Sequence, residues 1–267
     1  MHPGDIVTRR SYGNDLLFTL KSIHSGEQCT LHSLGSRLLA SAPASDLAPA
    51  DGARVQDAAQ RFRQTLSGRV AHILARRPAP PPFAFAMPGK VLHIDADEDY
   101  LRICAQTYTR LAVPNVCISL PEEDQPNQLK SLLHQHLPDI LVLTGHDALS
   151  DKTAPNDISQ YKTTEYFAEA VRRARQFCPS RDGLAIIAGA CQSHFEMLLA
   201  AGANAASAPK RMRIHALDPL LVAEKIAYTP IDTILPAHAL IAASITGASG
   251  IGGCQTRGML RYGAPRL

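Results

Sequence analysis

Residues 90–111 read KVLHIDADEDYLRICAQTYTRL, and this stretch decides the fold class. A short apolar run ends at two aspartates, Asp95 and Asp97, and apolar residues then recur at helical spacing as far as Leu111. A buried strand that leads directly into an amphipathic helix is the repeating unit of α/β proteins. The stretch therefore predicts a strand at its start and a helix over its second half.

The same unit recurs three times toward the C-terminus. Predicted strands lie at NVCISL (115–120), DILVLTGHD (139–147) and LAIIAGA (184–190), and predicted helices follow them at 127–137, 163–178 and 191–202. Strands that alternate with helices in this way form a parallel sheet, and the helices cover both of its faces. We therefore expect a parallel-sheet α/β fold of the flavodoxin-like kind over residues 89–267.

The N-terminal third has a different sequence pattern. Residues 1–45 read as short strands separated by turns, which predicts a small SH3-like β-barrel module. Residues 46–88 are rich in Ala and Pro and predict a linker with one helical patch at 55–74. The proline-rich run at 78–82 cannot continue that helix, because proline lacks the backbone N–H and clashes with the preceding turn.

The composition is that of a folded globular protein. The chain has 267 residues, 45% of them hydrophobic, and a formal net charge of +3 with its basic residues scattered. This balance gives no support to nucleic-acid or membrane binding. No apolar run reaches the ~18 residues of a transmembrane helix, and the N-terminus does not resemble a signal peptide. We expect a cytoplasmic protein whose six cysteines, which form no C-x-x-C pair, are reduced.

Chemically active residues stand where three of the predicted strands end. Asp95 and Asp97 follow the first strand, His146 follows ILVLTG, and Cys191 follows AIIAGA. Because the carboxyl ends of parallel strands form one edge, and ligands bind there, these side chains should meet. A cysteine that opens a helix lies at the positive end of the helix dipole, which favours the thiolate. The pattern predicts a Cys191–His146 dyad.

The neighbours of the cysteine favour a reactive role over a structural one. Gly189 and Ala190 leave room for a substrate backbone, and Gln192 makes the site polar immediately after the strand. A free cysteine is nevertheless often a small buried hydrophobe, so this interpretation stays open. Cys191 and His194 could also bind a metal with His146, but further ligands do not converge on them from the sequence. We expect neither a metal nor another cofactor.

Two other classes of protein share parts of the pattern. A receiver domain also has acids after its first strand, but Thr144 stands where its phospho-acceptor aspartate would be. The segment around Cys191 resembles the nucleophile turn of class I glutamine amidotransferases. Those enzymes take their histidine from a later His-x-Glu motif, and the sequence HALD at 215–218 lacks that form. An amide hydrolase and a non-enzymatic, receiver-like adaptor protein therefore remain as alternatives.

An apolar strand ending in histidine, followed by one ending in Ala-Cys, resembles the caspase, gingipain and separase clan of cysteine peptidases. Six blocks taken together resemble the YabG family of sporulation-specific proteases, which process spore coat proteins. These blocks are GDIVTRRSYGNDLLF, PGKVLHIDADEDYL, PDILVLTGHD, IIAGACQSHFE, AGANAASAPKRMRIHALDP and GIGGCQTRG. The resemblance covers nearly the whole chain and is weakest at 43–88. It implies a caspase-like fold, a catalytic His146 and Cys191, and coat or cortex-associated substrates in the mother cell or developing spore coat.

The resemblance also implies cleavage after arginine, which needs a carboxylate in the S1 pocket. Asp97 is favoured for that role, with Asp95 as the second candidate. Oxyanion donors would be the backbone N–H groups of Asp147 and Cys191, and Gly145, Gly189, Ala190 and Gln192 would line the pocket. Gly145 precedes the histidine, whereas caspase-type enzymes have a glycine after it.

Self-cleavage is a further expectation. The predicted linker offers arginines in chain that we expect to be mobile, namely Arg63, Arg69 and Arg76. The module at residues 1–45 would either bind substrates or keep the enzyme in an unprocessed state.

Overall fold

The computed structural model describes residues 1–265. Its strands are β1 Ile6–Arg9, β2 Phe18–Ile23, β3 Gln28–Ser33, β4 Leu39–Pro43, β5 Leu47–Pro49, β6 Phe85–Met87, β7 Val91–Asp95, β8 Asn115–Ser119, β9 Ile140–Thr144, β10 Ala185–Ala188, β11 Ala205–Ser207, β12 Ile234–Leu235, β13 Ile251–Gly253, β14 Thr256–Arg257 and β15 Arg261–Gly263. Its helices are α1 Gly52–Arg76, α2 Glu98–Arg110, α3 Gln125–His136, α4 Thr164–Phe177, α5 Phe195–Ala201, α6 Asp218–Ala227 and α7 Ala237–Ala243. Short 3-10 helices lie at Arg10–Tyr12, Ser25–Glu27, Ala44–Asp46, Ile158–Gln160 and Gly247–Ser249.

The central sheet has the order β13-β11-β10-β9-β7-β8. All neighbouring pairs from β11 to β8 are parallel, and β13 closes one edge as an antiparallel strand. In chain order the parallel strands run 2-1-3-4-5, so the direction of winding reverses between β7 and β9. Ligands bind outside the carboxyl ends of the strands at such a switch point. The predicted α/β class with a mostly parallel sheet is confirmed, while its likeness to caspases stays a prediction.

Helices cover both faces of this sheet. Residues alternate between the faces, so that Val91 and Ile140 join one apolar cluster while Leu92 and Leu141 join the other. The first cluster includes buried side chains of α1, α2, α6 and α7, and the second includes those of α3, α4 and α5. Burial on both faces explains why these strands are almost continuously apolar.

The N-terminal strands form a separate antiparallel sheet with the order β4-β3-β2-β1-β5. Successive strands from β1 to β4 are neighbours, and β5 returns to pair with β1. This sheet has its own core of Val7, Phe18, Leu20, Cys29, Leu31, Ala42 and Leu47. The SH3-like nature of the module stays a prediction, and β5 lies beyond the predicted limit of residue 45.

The predicted linker is mostly helix α1, which is longer than the predicted patch. Asp51 caps its N-terminus by accepting a hydrogen bond from the backbone N–H of Ala53 at 3.2 Å. Apolar residues at helical spacing, Phe62, Leu66 and Val70, pack on the core of the α/β part. Because of this packing, the three arginines expected in mobile chain lie in a helix. The predicted domain limits themselves stay a prediction.

The helix after Cys191 begins later than the sequence pattern predicts. Residues 191–194 are not helical, with a turn at Cys191 and Gln192, and α5 starts at Phe195 with His194 as its cap. Gln192 has φ 60°, a left-handed conformation that interrupts helical geometry. Cys191 therefore does not lie at the N-terminus of α5, and the expected stabilisation of its thiolate by the helix dipole is absent. Within residues 1–265, no helix has the length and apolar character needed to cross a membrane.

Candidate active site

The site lies at the carboxyl edge of β7, β9 and β10, next to the N-terminal sheet. Asp95, Asp97, His146 and Cys191 all emerge at this edge and are all buried. The loop that joins β3 to β4, with the last residue of β3 and the first of β4, spans residues 33–39 and reaches into this edge, and its Arg37 is fully buried. We call residues 33–39 the inserted hairpin.

Cys191 is hydrogen-bonded to the backbone of two residues. Its Sγ accepts from the N–H of Arg37 at 3.1 Å and from the N–H of Ile214 at 3.2 Å. Burial raises the pKa of the thiol to about 12, and the two N–H groups offset only part of this effect. Cys191 is therefore a neutral thiol while the hairpin is in place.

His146 is equally buried and has an aromatic neighbour. Its ring stacks on His32 with 3.7 Å between the centroids, and its Nε2 lies 3.6 Å from Oδ2 of Asp97. Burial, and secondly the proximity of His32, lower the pKa of His146 to about 3, so the imidazole is neutral. Among residues 1–265, neither ring nitrogen has a hydrogen-bond partner, so none joins it to Cys191. Catalytic hydrogen bonds often tighten only in the substrate complex.

Two backbone N–H groups converge on a single oxygen. The carbonyl oxygen of Arg37 accepts from the N–H of Cys191 at 3.1 Å and from the N–H of Asp147 at 3.4 Å. These are the two groups that the family resemblance implies as oxyanion donors. A pair of fixed donors around one carbonyl oxygen can stabilise negative charge that develops there.

The carboxylate of Asp147 ties the histidine loop to the cysteine loop. It accepts hydrogen bonds from the hydroxyls of Ser193 and Thr164 and from the backbone of residues 162–163. Ser193 Oγ in turn accepts from the N–H of Ala190 at 3.0 Å, just before the cysteine. Burial raises the pKa of Asp147, and these donors oppose the rise. Sequence reasoning assigned only the backbone of Asp147 a role and missed this network.

Asp95 holds the side chain of Arg37. The guanidinium Nη1 lies 2.5 Å from Oδ2 of Asp95, and both side chains are fully buried. Burial alone would raise the pKa of Asp95, but the guanidinium outweighs it and holds this pKa well below its usual range. The guanidinium also donates through Nε to the carbonyl oxygen of Ala216 at 3.1 Å and lies 5.5 Å from the ring centroid of Tyr100. These groups form a pocket that fits an arginine.

Asp97 faces the histidine instead. Its Oδ1 caps α2 by accepting from the N–H groups of Asp99 and Tyr100, both at 3.0 Å. Its Oδ2 points toward His146 and His32, at 3.6 Å and 3.7 Å. Burial would raise its pKa, but the proximity of the His32 and His146 imidazoles and the N–H group of Tyr100 lower it to about 2. The S1 role of either aspartate stays a prediction.

The glycines of the site are required by close approaches. A Cβ on Gly145 would overlap the carboxylate of Glu122, whose Oε1 accepts from the N–H of His146 at 2.7 Å. Burial raises the pKa of Glu122 to about 7. Gly189 has φ 102°, and a Cβ there would lie 2.7 Å from Leu198 Cδ1. Both glycines therefore let the strand ends approach their neighbours.

Gln192 connects the cysteine loop to neighbouring segments. Its side-chain Oε1 accepts from the N–H of Leu149 at 3.1 Å, and its own N–H donates to the carbonyl oxygen of Met212 at 3.1 Å. It also borders a cavity of about 510 Å³ that is lined in part by Leu38, Leu39, Leu149 and Lys162. The cavity therefore begins directly beyond Arg37 along the inserted hairpin.

One group of side chains could hold a metal ion. His32, Asp97 and His146 each offer a ligand atom, and these atoms all lie within 4.8 Å of one another. Two imidazoles and a carboxylate are a ligand set that zinc accepts. His194, which the sequence suggested as a ligand, instead caps α5 and lies 3.3 Å from Glu196. The expectation that no metal is needed stays a prediction.

Sequence reasoning missed three residues of this site: His32, Arg37 and Glu122. His32 and Arg37 belong to the N-terminal sheet and its loop, and Arg37 is separated from Cys191 by 154 positions. Glu122 lies in the loop after β8. No local pattern marks them, because an arginine in a hairpin loop is ordinarily exposed.

Comparison with known proteins gives the family. The model of the YabG peptidase U57 family matches residues 2–265. The sporulation-specific protease YabG of Bacillus subtilis (strain 168) is 38% identical over 281 residues, which cover 98% of this chain and 97% of that protein. No solved structure matches the chain. The chain therefore belongs to the YabG peptidase family and is a protease of that family.

Proposed function

We propose that this protease is a cysteine endopeptidase whose Cys191 attacks the scissile carbonyl while His146 transfers the proton. The observation that carries the proposal is the convergence on the backbone of Arg37. Cys191 Sγ lies 3.1 Å from its nitrogen, and the N–H groups of Asp147 and Cys191 both donate to its oxygen. A thiol and two oxyanion donors around the backbone of one residue are the parts that acyl transfer requires.

The reaction passes through a thioester. The sulfur of Cys191 bonds to the carbonyl carbon, the bond to the leaving amine breaks, and the thiol proton reaches that amine through His146. Water activated by His146 then releases the acid and restores the thiol. The pKa of Cys191 is high and that of His146 is low because both groups are buried away from water. Entry of water would reduce this effect of burial and favour the thiolate–imidazolium pair.

The second part of the proposal is cleavage after arginine. Asp95 pairs with a buried guanidinium at 2.5 Å, and the Ala216 carbonyl and the Tyr100 ring complete its surroundings. A carboxylate that is buried in this way discriminates strongly in favour of a planar cation. We propose Asp95 as the S1 acid and Asp97 as the residue that faces His146.

The proposed substrates are proteins of the spore coat and cortex, cut in the mother cell or in the developing coat. The name of the Bacillus subtilis relative, a sporulation-specific protease, supports the timing. We also propose that the enzyme processes itself. Because the family is one of proteases, the alternative of a non-enzymatic, receiver-like adaptor is no longer supported. No observation favours the alternative of an amide hydrolase.

The test compares variants on a peptide with a single arginine. Cys191→Ala and His146→Ala should each reduce cleavage at least ~1000-fold, since loss of a nucleophile or its base costs that much or more. Cys254→Ala, in a half-buried cysteine outside the site, is the matched control and should remain active. Free glutamine should not be hydrolysed by any variant. Full activity of Cys191→Ala would reject the mechanism.

A further inference from the structure

The inserted hairpin follows the edge of the site as an extended segment. On one side of Arg37, Ser36 pairs antiparallel with His215, and the N–H of Ala216 donates to the carbonyl oxygen of Gly35 at 3.2 Å. On the other side, Leu38 pairs with Asp147, and the N–H of Leu39 donates to the Asp147 carbonyl oxygen at 3.0 Å. Backbone pairing of this kind is how proteins commonly bind an extended peptide.

Arg37 fills the pocket that the proposed specificity requires. Its side chain is fully buried, pairs with Asp95 and donates to the Ala216 carbonyl oxygen. A buried arginine costs several kcal/mol of desolvation unless its charge is paired and hydrogen-bonded. The hairpin loop thus carries its one arginine into a site that is built for that side chain.

The reacting atoms meet at the same residue. Cys191 Sγ is 3.1 Å from the nitrogen of Arg37, which is two bonds from its carbonyl carbon. The carbonyl oxygen lies between the two proposed oxyanion donors. Three independent features, the backbone pairing, the side-chain pocket and the oxyanion donors, therefore all select the peptide bond that follows Arg37.

We propose that the inserted hairpin is an intramolecular substrate, and that Cys191 cuts the Arg37–Leu38 bond within its own chain. This inference rests on the proposed function and specifies its regulation: the hairpin occupies the cleft against other substrates until the bond is cut.

The step uses the chain and one water molecule. Cys191 Sγ bonds to the carbonyl carbon of Arg37 as the carbon–nitrogen bond to Leu38 breaks. The thiol proton passes through His146 to the departing nitrogen, which leaves Leu38 with a free amine. Water then hydrolyses the thioester, and Arg37 ends in a carboxylate while the thiol of Cys191 is restored.

The other arginines considered for self-cleavage are worse candidates. Arg63, Arg69 and Arg76 lie in α1, where the backbone is helical and its hydrogen bonds are internal. The helix around such a bond must unwind before the bond can bind in an extended conformation in a cleft. Arg37 needs no such rearrangement, because its backbone is already paired along the site.

The two products would remain together. The cut lies between β3 and β4, which pair with each other through five residue pairs, and β1 pairs with β5 across the same cut. The piece that ends at Arg37 therefore stays in the N-terminal sheet after cleavage. Cleavage must be detected after denaturation.

The experiment follows the intact mass of the purified full chain. Wild type and Cys191→Ala are held at neutral pH, denatured and analysed by mass spectrometry and N-terminal sequencing, and each is also given an arginine-containing reporter peptide. We expect wild type to yield one piece that ends at Arg37 and one that begins at Leu38. Cys191→Ala should remain a single chain. A rate that does not change on tenfold dilution marks cleavage within one molecule.

Two sets of variants separate the candidate bonds. Arg37→Lys should slow the cut at least about tenfold, because an ammonium group cannot reach Asp95 and the Ala216 carbonyl oxygen together, as Nη1 and Nε of the guanidinium do. A variant with Arg63→Gln, Arg69→Gln and Arg76→Gln is the matched control, and it should be cut between Arg37 and Leu38 at the wild-type rate.

The outcomes distinguish this inference from the proposed function. Wild type that hydrolyses the reporter but stays whole, or is cut only in α1, would overturn the inference and leave the peptidase intact. Wild type that cuts neither the reporter nor its own chain would reject both. These results depend on wild type and Cys191→Ala alone, so misfolding of an Arg37 variant would not obscure them.

Discussion

Replacing Asp95 with asparagine tests the pocket most directly. The change should be made in the Cys191→Ala background, so that the hairpin stays uncut. Asp95 and Arg37 are fully buried and 2.5 Å apart at their closest atoms. Two unit charges about 4 Å apart attract by about 4 kcal/mol at an effective dielectric constant of about 20. Removal of one partner of a buried pair typically costs about 3–5 kcal/mol. We therefore expect Asp95→Asn to lower the free energy of unfolding by about 3–5 kcal/mol.

The assay is urea unfolding followed by circular dichroism, with an exposed ion pair as control. Asp182 pairs with Arg257 at 3.1 Å on the surface, so Asp182→Asn should cost less than about 1 kcal/mol. Combining Asp95→Asn with Arg37→Met should cost less than the sum of the single changes, by at least about 2 kcal/mol. If Asp95→Asn costs no more than Asp182→Asn, the assignment of Asp95 as the partner of a buried arginine is refuted.

The same pair has a defined pH dependence. The pKa of Asp95 is held below its usual range by Arg37, so the unfolded chain takes up a proton at a higher pH than the native chain. The contribution of the pair is therefore complete above pH ~4 and is lost as the pH falls below that value. In Asp95→Asn this part of the acid sensitivity should be missing.

Two further predictions concern the histidine loop. The pKa of His146 is about 3 in the folded chain and about 6.5 when unfolded, so stability should fall by up to about 1.4 kcal/mol per unit as the pH drops from 6.5 toward 3. Urea unfolding at several pH values should show a flatter dependence of stability on pH for His146→Gln than for wild type. His72→Gln, in an exposed histidine, is the control and should keep the wild-type slope. If His146→Gln also keeps the wild-type slope, the imidazole of His146 is not held neutral. Gly145→Ala should push the His146 loop away from Glu122 and lower the kcat/KM for an arginyl peptide at least about tenfold. Gly68→Ala is the control, because a Cβ on this α1 residue would meet no other atom, and it should stabilise the chain by about 1 kcal/mol without loss of activity. If Gly145→Ala is as active as Gly68→Ala, the site does not require the close approach of Gly145 to Glu122.

Much of the architecture could be read from local patterns. Each predicted strand between residues 90 and 190 is present, because strands buried on both faces produce apolar runs that sequence alone reveals. The helix after Cys191 was predicted to begin too early. The polar residues of the turn, with Gln192 in a left-handed conformation, cannot be told from a first helical turn by apolar spacing alone.

The predicted site was partial for a related reason. Asp95, Asp97, His146 and Cys191 were expected at one edge, and the structure brings them there. The family resemblance favoured Asp97 over Asp95 for the S1 role, which stays a prediction, and in the structure Asp95 contacts the guanidinium of Arg37. The two carboxylates are only two positions apart, and their orientation depends on which one caps α2. That choice is made by packing and not by residue type.

By itself, the sequence determined which chemical groups stand at the carboxyl edge, because strand periodicity and chain order fix where parallel strands end. Only the tertiary structure decided what faces those groups. The N-terminal sheet brings Arg37 to a sulfur 154 positions away and stacks His32 on His146. Cys191 and His146 are neutral because they are buried. Contacts between segments so distant leave no local periodicity in the chain. They form when the surface of the N-terminal sheet packs against the α/β part and water is excluded between them.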